Sequence, residues 1–253
     1  MRLTELCERY DERLRTDEFA DLDASANGLQ VGDEGEIERA AFAVDAAVET
    51  IEAAAEAGAD ALCVHHGLSW GGIERVTGRS YDRIAALIEN DLALYVSHLP
   101  LDSHPELGNA AGVADHLGLE ACEGFGLLGP ETIGIAGRAT GPMSADGLAD
   151  RLSDLDTGGR DVQLLEFGPD EIEEVAIVTG SGADWLGEAA ESDADAFVTG
   201  EGKQQLYHEA REAGVSVALA GHYATETFGV RALQGLAEDW GLETTWIDAP
   251  TGL

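Results

Sequence analysis

The chain has 253 residues, enough for one large domain or two of about 125, and 44% of it is apolar with 32 glycines. That composition suits a compact, turn-rich α/β protein and excludes a disordered or fibrous one. The net charge is −36, with fifty acids facing thirteen arginines and the single lysine Lys203. Such a chain repels nucleic acid, whose binding needs clustered Lys and Arg. The acids are spread along the sequence rather than gathered in a tail. They therefore read as adaptation to molar intracellular salt, as in an extreme halophile, and report habitat rather than chemistry.

From Thr4 to about Arg15, Leu6, Tyr10 and Leu14 recur at the spacing of a surface helix. This start lacks the apolar stretch of a signal peptide. No run approaches the roughly 20 apolar residues a membrane span needs. The expectation is a soluble, cytoplasmic protein with no membrane partner. Asn27 to Gly32 reads as a turn and a short extended piece, Ala40–Val44 as a buried strand, and Ala46–Ala57 as an alanine-rich helix ending at Gly58. A strand over Ala59–Val64 then delivers His65 and His66, and Gly67 lets the chain bend there. Adjacent residues on a strand point to opposite faces, so two neighbouring histidines serve one site only where the strand ends. A loop with Trp70-Gly71-Gly72 follows, then a helix from about Ser80 to Asn90. The next strand, Leu92–Ser97, leads into His98 and Asp102, and a helix spans Asn109–Leu117 before Gly118.

Cys7, Cys63 and Cys122 are odd in number, widely spaced and never CxxC, which argues for a reducing compartment and against a disulfide frame or zinc knuckle. Cys63 reads as a small buried hydrophobe.

The second half repeats the first. Glu36–Val44 is matched by Glu171–Thr179, and Gly58-Ala-Asp60-Ala-Leu62 by Asp193-Ala-Asp195-Ala-Phe197 at the same offset. His66 then falls over Glu201. Further on the offset shortens, because the first half has a longer loop after its histidines, and His98-x-x-x-Asp102 lies over His222-x-x-x-Glu226. The expected fold class is α/β: two similar α/β/α sandwich domains from an internal duplication, residues 1–125 and 126–253, with the site between them. The boundary falls within the glycine-rich stretch 124–142, which has strand-like pieces of its own. In parallel or mixed sheets covered by helices, ligands sit at the carboxyl ends of strands.

His65, His66, Asp102, His222 and Glu226 all fall at such ends. Imidazole and carboxylate without thiolate suit zinc, iron, manganese, cobalt or nickel. If Glu226 bridges, these residues form a centre for two divalent ions, with positions left for water. His98 is the candidate for proton transfer or substrate contact, or else an orienting partner of Asp102. Glu201 either faces the same cavity or is structural. Gly180-Ser-Gly182 either presents amides to a phosphate or makes a tight strand-to-helix turn. There is no P-loop and no Ser-His-Asp pattern.

Asn27-Gly-Leu-Gln-Val31, Val64-His-His-Gly67, Ser97-His-Leu-Pro-Leu-Asp-Ser-His104, Gly108-Asn109, Val198-Thr-Gly-Glu201 and Gly221-His-Tyr-Ala-Thr-Glu226 resemble the signatures of the NIF-three-like family, also called GTP cyclohydrolase 1 type 2 homologues. The resemblance runs over nearly the whole chain. It implies two α/β domains, a toroidal homohexamer and a two-metal site facing the ring interior, with His65, His66, Asp102, His222 and Glu226 as ligands. The function expected is a metal-dependent hydrolase of a nucleotide or other small molecule. The alternative is a metal-storage or delivery protein, or a ring-shaped scaffold with structural metals.

Overall fold

The computed structural model describes residues 1–253, the side chain of Pro142 excepted. The strands are β1 (Gly28–Val31), β2 (Arg39–Asp45), β3 (Ala61–His66), β4 (Ala93–Val96), β5 (Leu119–Leu128), β6 (Glu131–Met143), β7 (Gln163–Leu165), β8 (Ile172–Ile177), β9 (Ala196–Thr199), β10 (Ser216–Leu219) and β11 (Glu243–Trp246). They form two sheets, ordered β1-β4-β3-β2-β11 and β5-β6-β8-β9-β10-β7.

The duplication is visible in the hydrogen bonding. Each sheet contains a run of three parallel strands in the same order, β4-β3-β2 and β10-β9-β8, with one antiparallel strand beside β4 or β10. In the first sheet the Asp60 carboxylate accepts from the amides of Glu38 (2.8 Å) and Arg39 (3.0 Å). In the second, Asp195 accepts from Glu173 (2.8 Å) and Glu174 (3.0 Å). A carboxylate at the mouth of one strand thus fixes the start of its neighbour, twice over.

Two compact units result: residues 1–101 with 229–249, and residues 102–228 with 250–253. These bounds differ from a division within 124–142. The stretch 124–142 is not a linker, since β5 and β6 pair as a long antiparallel ladder in the second sheet. The helix Asn109–Leu117 explains the rest. Its stripe Ala110, Val113, Ala114 and Leu117 is buried in the same core as Val175, Ile177 and Val198 of the second sheet. The last strand in sequence, β11, pairs in parallel with β2 of the first sheet.

In the first unit, Ala41 and Ala43, Leu62 and Val64, and Leu94 and Val96 line one face, packed with Ile51, Ala54 and Leu87 from the helices Val48–Glu56 and Arg79–Glu89. That is period-two alternation. The opposite face is buried too: Phe42, Cys63 and Tyr95 are inaccessible, and Tyr10 of the helix Leu3–Leu14 stacks 5.2 Å from Tyr95. Burial on both faces makes these strands read as continuous apolar runs. It also holds the Cys63 thiol well above its ordinary range. Among the described residues no helix is long and apolar enough to cross a membrane.

Candidate metal centre

His65 and His66 are the last two residues of β3, His65 fully buried and His66 partly so. Their rings lie 4.6 Å apart, because the strand ends there and both can turn to one side. Gly67 serves this by its lack of bulk. A Cβ there would come within 2.6 Å of Val96 and of the Gln30 amide, and that amide oxygen accepts from the Leu68 N–H. Its φ is not in the left-handed region.

His98 follows β4, and its ring lies 4.9 Å from His65 and 5.7 Å from His66. One ligand atom from each of the three histidines falls within 4.8 Å of the others, a group able to hold a metal ion. The Nδ1 atoms meet oxygen acceptors: Ser97 O for His65 (2.9 Å), Asp45 Oδ1 for His66 (2.9 Å) and Asp23 Oδ1 for His98 (3.0 Å). A neutral imidazole that donates from Nδ1 leaves the Nε2 lone pair as its ligand atom. An oxygen on the second nitrogen is the usual means of orienting a ligand histidine. Trp70, 47% exposed, stands edge-on to His98 at 4.9 Å.

Asp23 and Asp45 are not legible in the sequence as site residues. Asp45 is the last residue of β2 and pairs in register with His66 of β3, so only sheet order reveals it. Asp23 sits in an irregular segment. Its carboxylate accepts from the Ser25 amide (2.9 Å), the Leu99 amide (3.0 Å) and the Asn27 side chain (2.9 Å), while Asn27 Oδ1 accepts from the His98 amide (2.8 Å). Burial opposes the charge on Asp23, but the bond to His98 and the other donors outweigh it and lower its pKa to about 2. A carboxylate so lowered stabilises the fold fully above its unfolded value near 3.8, and that stability is lost as pH falls towards 2. The stability gap between the native chain and Asp23→Asn, measured by urea unfolding, will therefore close between about pH 4 and pH 2 and stay constant above about pH 5.

In the second unit the pattern His222-x-x-x-Glu226 lies at a short helical turn, which brings residues four apart onto one side. His222 Nε2 is 3.1 Å from Glu226 Oε2, and Nδ1 is 3.3 Å from Glu201 Oε1. Glu226 is buried and Glu201 also bonds Ser181 Oγ. Burial works against a charged His222, yet Glu226 and then Glu201 raise its pKa to about 9. A histidine between two carboxylates thus favours positive charge at this place. That is the electrostatics a divalent cation requires.

Gly180 makes the room. With φ +58, a Cβ there would stand 2.0 Å from Glu226 Oε1 and 3.1 Å from His222 Nε2. The amides of Gly180 and Gly182 are taken by Thr225 Oγ1 (3.1 Å) and Thr199 Oγ1 (3.0 Å). Gly180-Ser-Gly182 is therefore a tight turn against the site and not a phosphate cradle. Asp102 Oδ1 accepts from the fully buried Asn109 side chain at 2.8 Å.

The duplicated α/β fold carries oriented imidazoles in one unit and a His–carboxylate cluster in the other, side chains of the kind that could hold a metal ion. The sequence matches Duf34/NIF3 (NGG1p interacting factor 3) over residues 1–251, and the chain belongs to that family. A relative from Halobacterium salinarum, named a GTP cyclohydrolase 1 type 2 homolog, is 59% identical over 255 residues, all of both chains. One of the same name from Pyrococcus abyssi is 44% identical, again over all of both chains. A solved structure from Thermus thermophilus superposes with a TM-score of 0.90 at 38% identity, covering 100% of each chain.

Proposed function

We propose that His65, His66, Asp102, His222 and Glu226 hold two divalent transition-metal ions, and that the protein is a metal-dependent hydrolase of a nucleotide or other small molecule. The observation that carries this is the common treatment of the adjacent His65 and His66, each tied at Nδ1 to an oxygen. Structural histidines have no need of one shared orientation; ligands do. The donor set is nitrogen and oxygen without thiolate, which suits zinc, iron, manganese, cobalt or nickel.

Such ions, when bound, supply an acidified water and positive charge for a developing oxyanion. The chain's residues do the rest. His98, fixed through Nδ1 by Asp23, offers Nε2 to accept a proton and return it to the leaving group. Asn109 keeps Asp102 in place. Glu201 holds His222 from the side away from Glu226. A ring-shaped homohexamer in the cytoplasm of a salt-adapted cell belongs to the same reading.

Relatives carry GTP in their names, so GTP heads the test. A nucleotide panel is incubated with native protein, with and without added zinc, iron or manganese, and beside it His66→Ala. Turnover that requires metal and disappears in His66→Ala is the expected result. Metal-independent turnover, or tight metal with no turnover of any nucleotide, overturns the hydrolase reading. The second outcome would favour storage or delivery of metal.

A further inference from the structure

Among the described residues, Trp70 is the one exposed tryptophan of the chain's four, at 47%. The other three have cover. Trp240 packs on Tyr10, Trp246 lies under Arg231, and Trp185 donates to the Leu127 carbonyl. Trp70 packs instead on two histidines, edge-on to His98 at 4.9 Å and tilted to His66 at 6.0 Å. A lone exposed aromatic side chain needs no explanation, but one set against two imidazoles of a candidate metal group does.

The backbone holds the indole in that place. The Ser69 carbonyl accepts from the Ala26 amide at 3.0 Å, the Ala24 carbonyl accepts from the Gly71 amide at 2.6 Å, and Ser25 forms a bridge with Trp70. The same segment carries Asp23, which meets His98 Nδ1, and Asn27, which accepts from the His98 amide. One short stretch, residues 23–27, thus fixes the His98 ring, its backbone and the tryptophan beside it. All of these residues belong to the first unit. Gly71 and Gly72 follow with φ of +72 and +100, and a Cβ on either would meet nothing. These glycines serve a turn rather than close packing.

Exposure shows from which side a molecule reaches the imidazoles. His65 is fully buried, whereas the side chains of His66 and His98 are 18% and 20% exposed. A molecule arriving from solvent therefore comes in over His66 and His98, where the indole stands. Aromatic rings favour a flat, unsaturated partner, stacked or edge-on, over a puckered saturated one. We propose that Trp70 is a specificity-determining residue of the histidine group: it receives the planar part of a molecule whose donor atoms reach the metal, and so selects flat ligands over puckered ones. This rests on the metal reading above, and the experiment separates the two.

The test is calorimetric titration of the full, metal-loaded chain with two probes, picolinate and its saturated counterpart pipecolate. Both offer a metal one ring nitrogen and one carboxylate, and only picolinate is flat. Metal content is measured in every sample. Trp70→Leu keeps apolar bulk without a ring and will weaken picolinate about tenfold, the worth of one aromatic contact. Pipecolate affinity and metal content will be unchanged. Trp70→Phe will restore most of the picolinate affinity. A role confined to holding His98 in place would instead lower metal content or weaken both probes alike, and that result overturns the proposal. Picolinate affinity that ignores Trp70→Leu while metal stays bound overturns the proposal and leaves the metal reading intact. A native chain that takes up no metal removes both.

Discussion

Glu226→Ala, purified without chelator in high salt, will carry almost no transition metal, where the native chain carries about two ions. Plasma mass spectrometry of both proteins reads this directly. Glu226 is 4% exposed and faces His222 at 3.1 Å, so its charge acts in a poorly solvated place where water does not dilute it. Removing it deletes a proposed ligand and also the main support of positive charge on His222. The loss should exceed the roughly 10–100-fold that follows from removing a partner that only orients a ligand. Asp45→Asn supplies that lesser case, since it touches only the far nitrogen of His66. Metal uptake also has a pH signature. Against the effect of burial, Glu226 and Glu201 raise the His222 pKa to about 9, and a ligand nitrogen must give up its proton. Affinity will therefore rise from about pH 7 to pH 9 and level off above it. Native protein without metal, even after soaking with zinc, iron or manganese, would end the dinuclear reading.

Why this cluster is legible in the sequence, and its supports are not, follows from what a linear chain carries. The repeat is visible because equivalent strands keep equivalent residues: Asp60 and Asp195 do the same job with the same hydrogen bonds. Strand ends are visible because apolar runs stop at His66 and before His98. What holds the ligands comes from elsewhere. Asp45 belongs to a neighbouring strand and Asp23 to a loop 75 residues before its histidine. No local pattern ties these to a histidine. The division into units is hidden for a related reason. Gly-rich composition over 124–142 resembles a linker, yet those glycines fit a crowded ladder. A Cβ on Gly134 would come 2.2 Å from the Ile177 carbonyl, and one on Gly124 would come 2.5 Å from Thr132. Close packing selected glycine at these two positions. Composition alone does not separate the two.

Between about 0.1 M and 3 M KCl the melting temperature of the protein will rise by on the order of 10 °C or more. The cause is the surplus of acids, 50 against 14 basic residues. At about 0.1 M salt charges interact over about 10 Å, a range that links neighbouring acids on any surface this crowded; at about 1 M the range is about 3 Å. Surface pairs such as Arg2–Glu34 and Arg9–Glu5 are exposed and offset little of this repulsion. Salt should therefore stabilise the fold by weakening repulsion, more than it harms it by weakening pairs. The places where charges balance will respond differently. The pair His222–Glu226 is largely buried, so screening reaches it poorly and metal content should survive in about 3 M KCl. A melting temperature unchanged by KCl would contradict the argument from charge. Loss of metal in high salt would instead place the ligand cluster within reach of the screening ions.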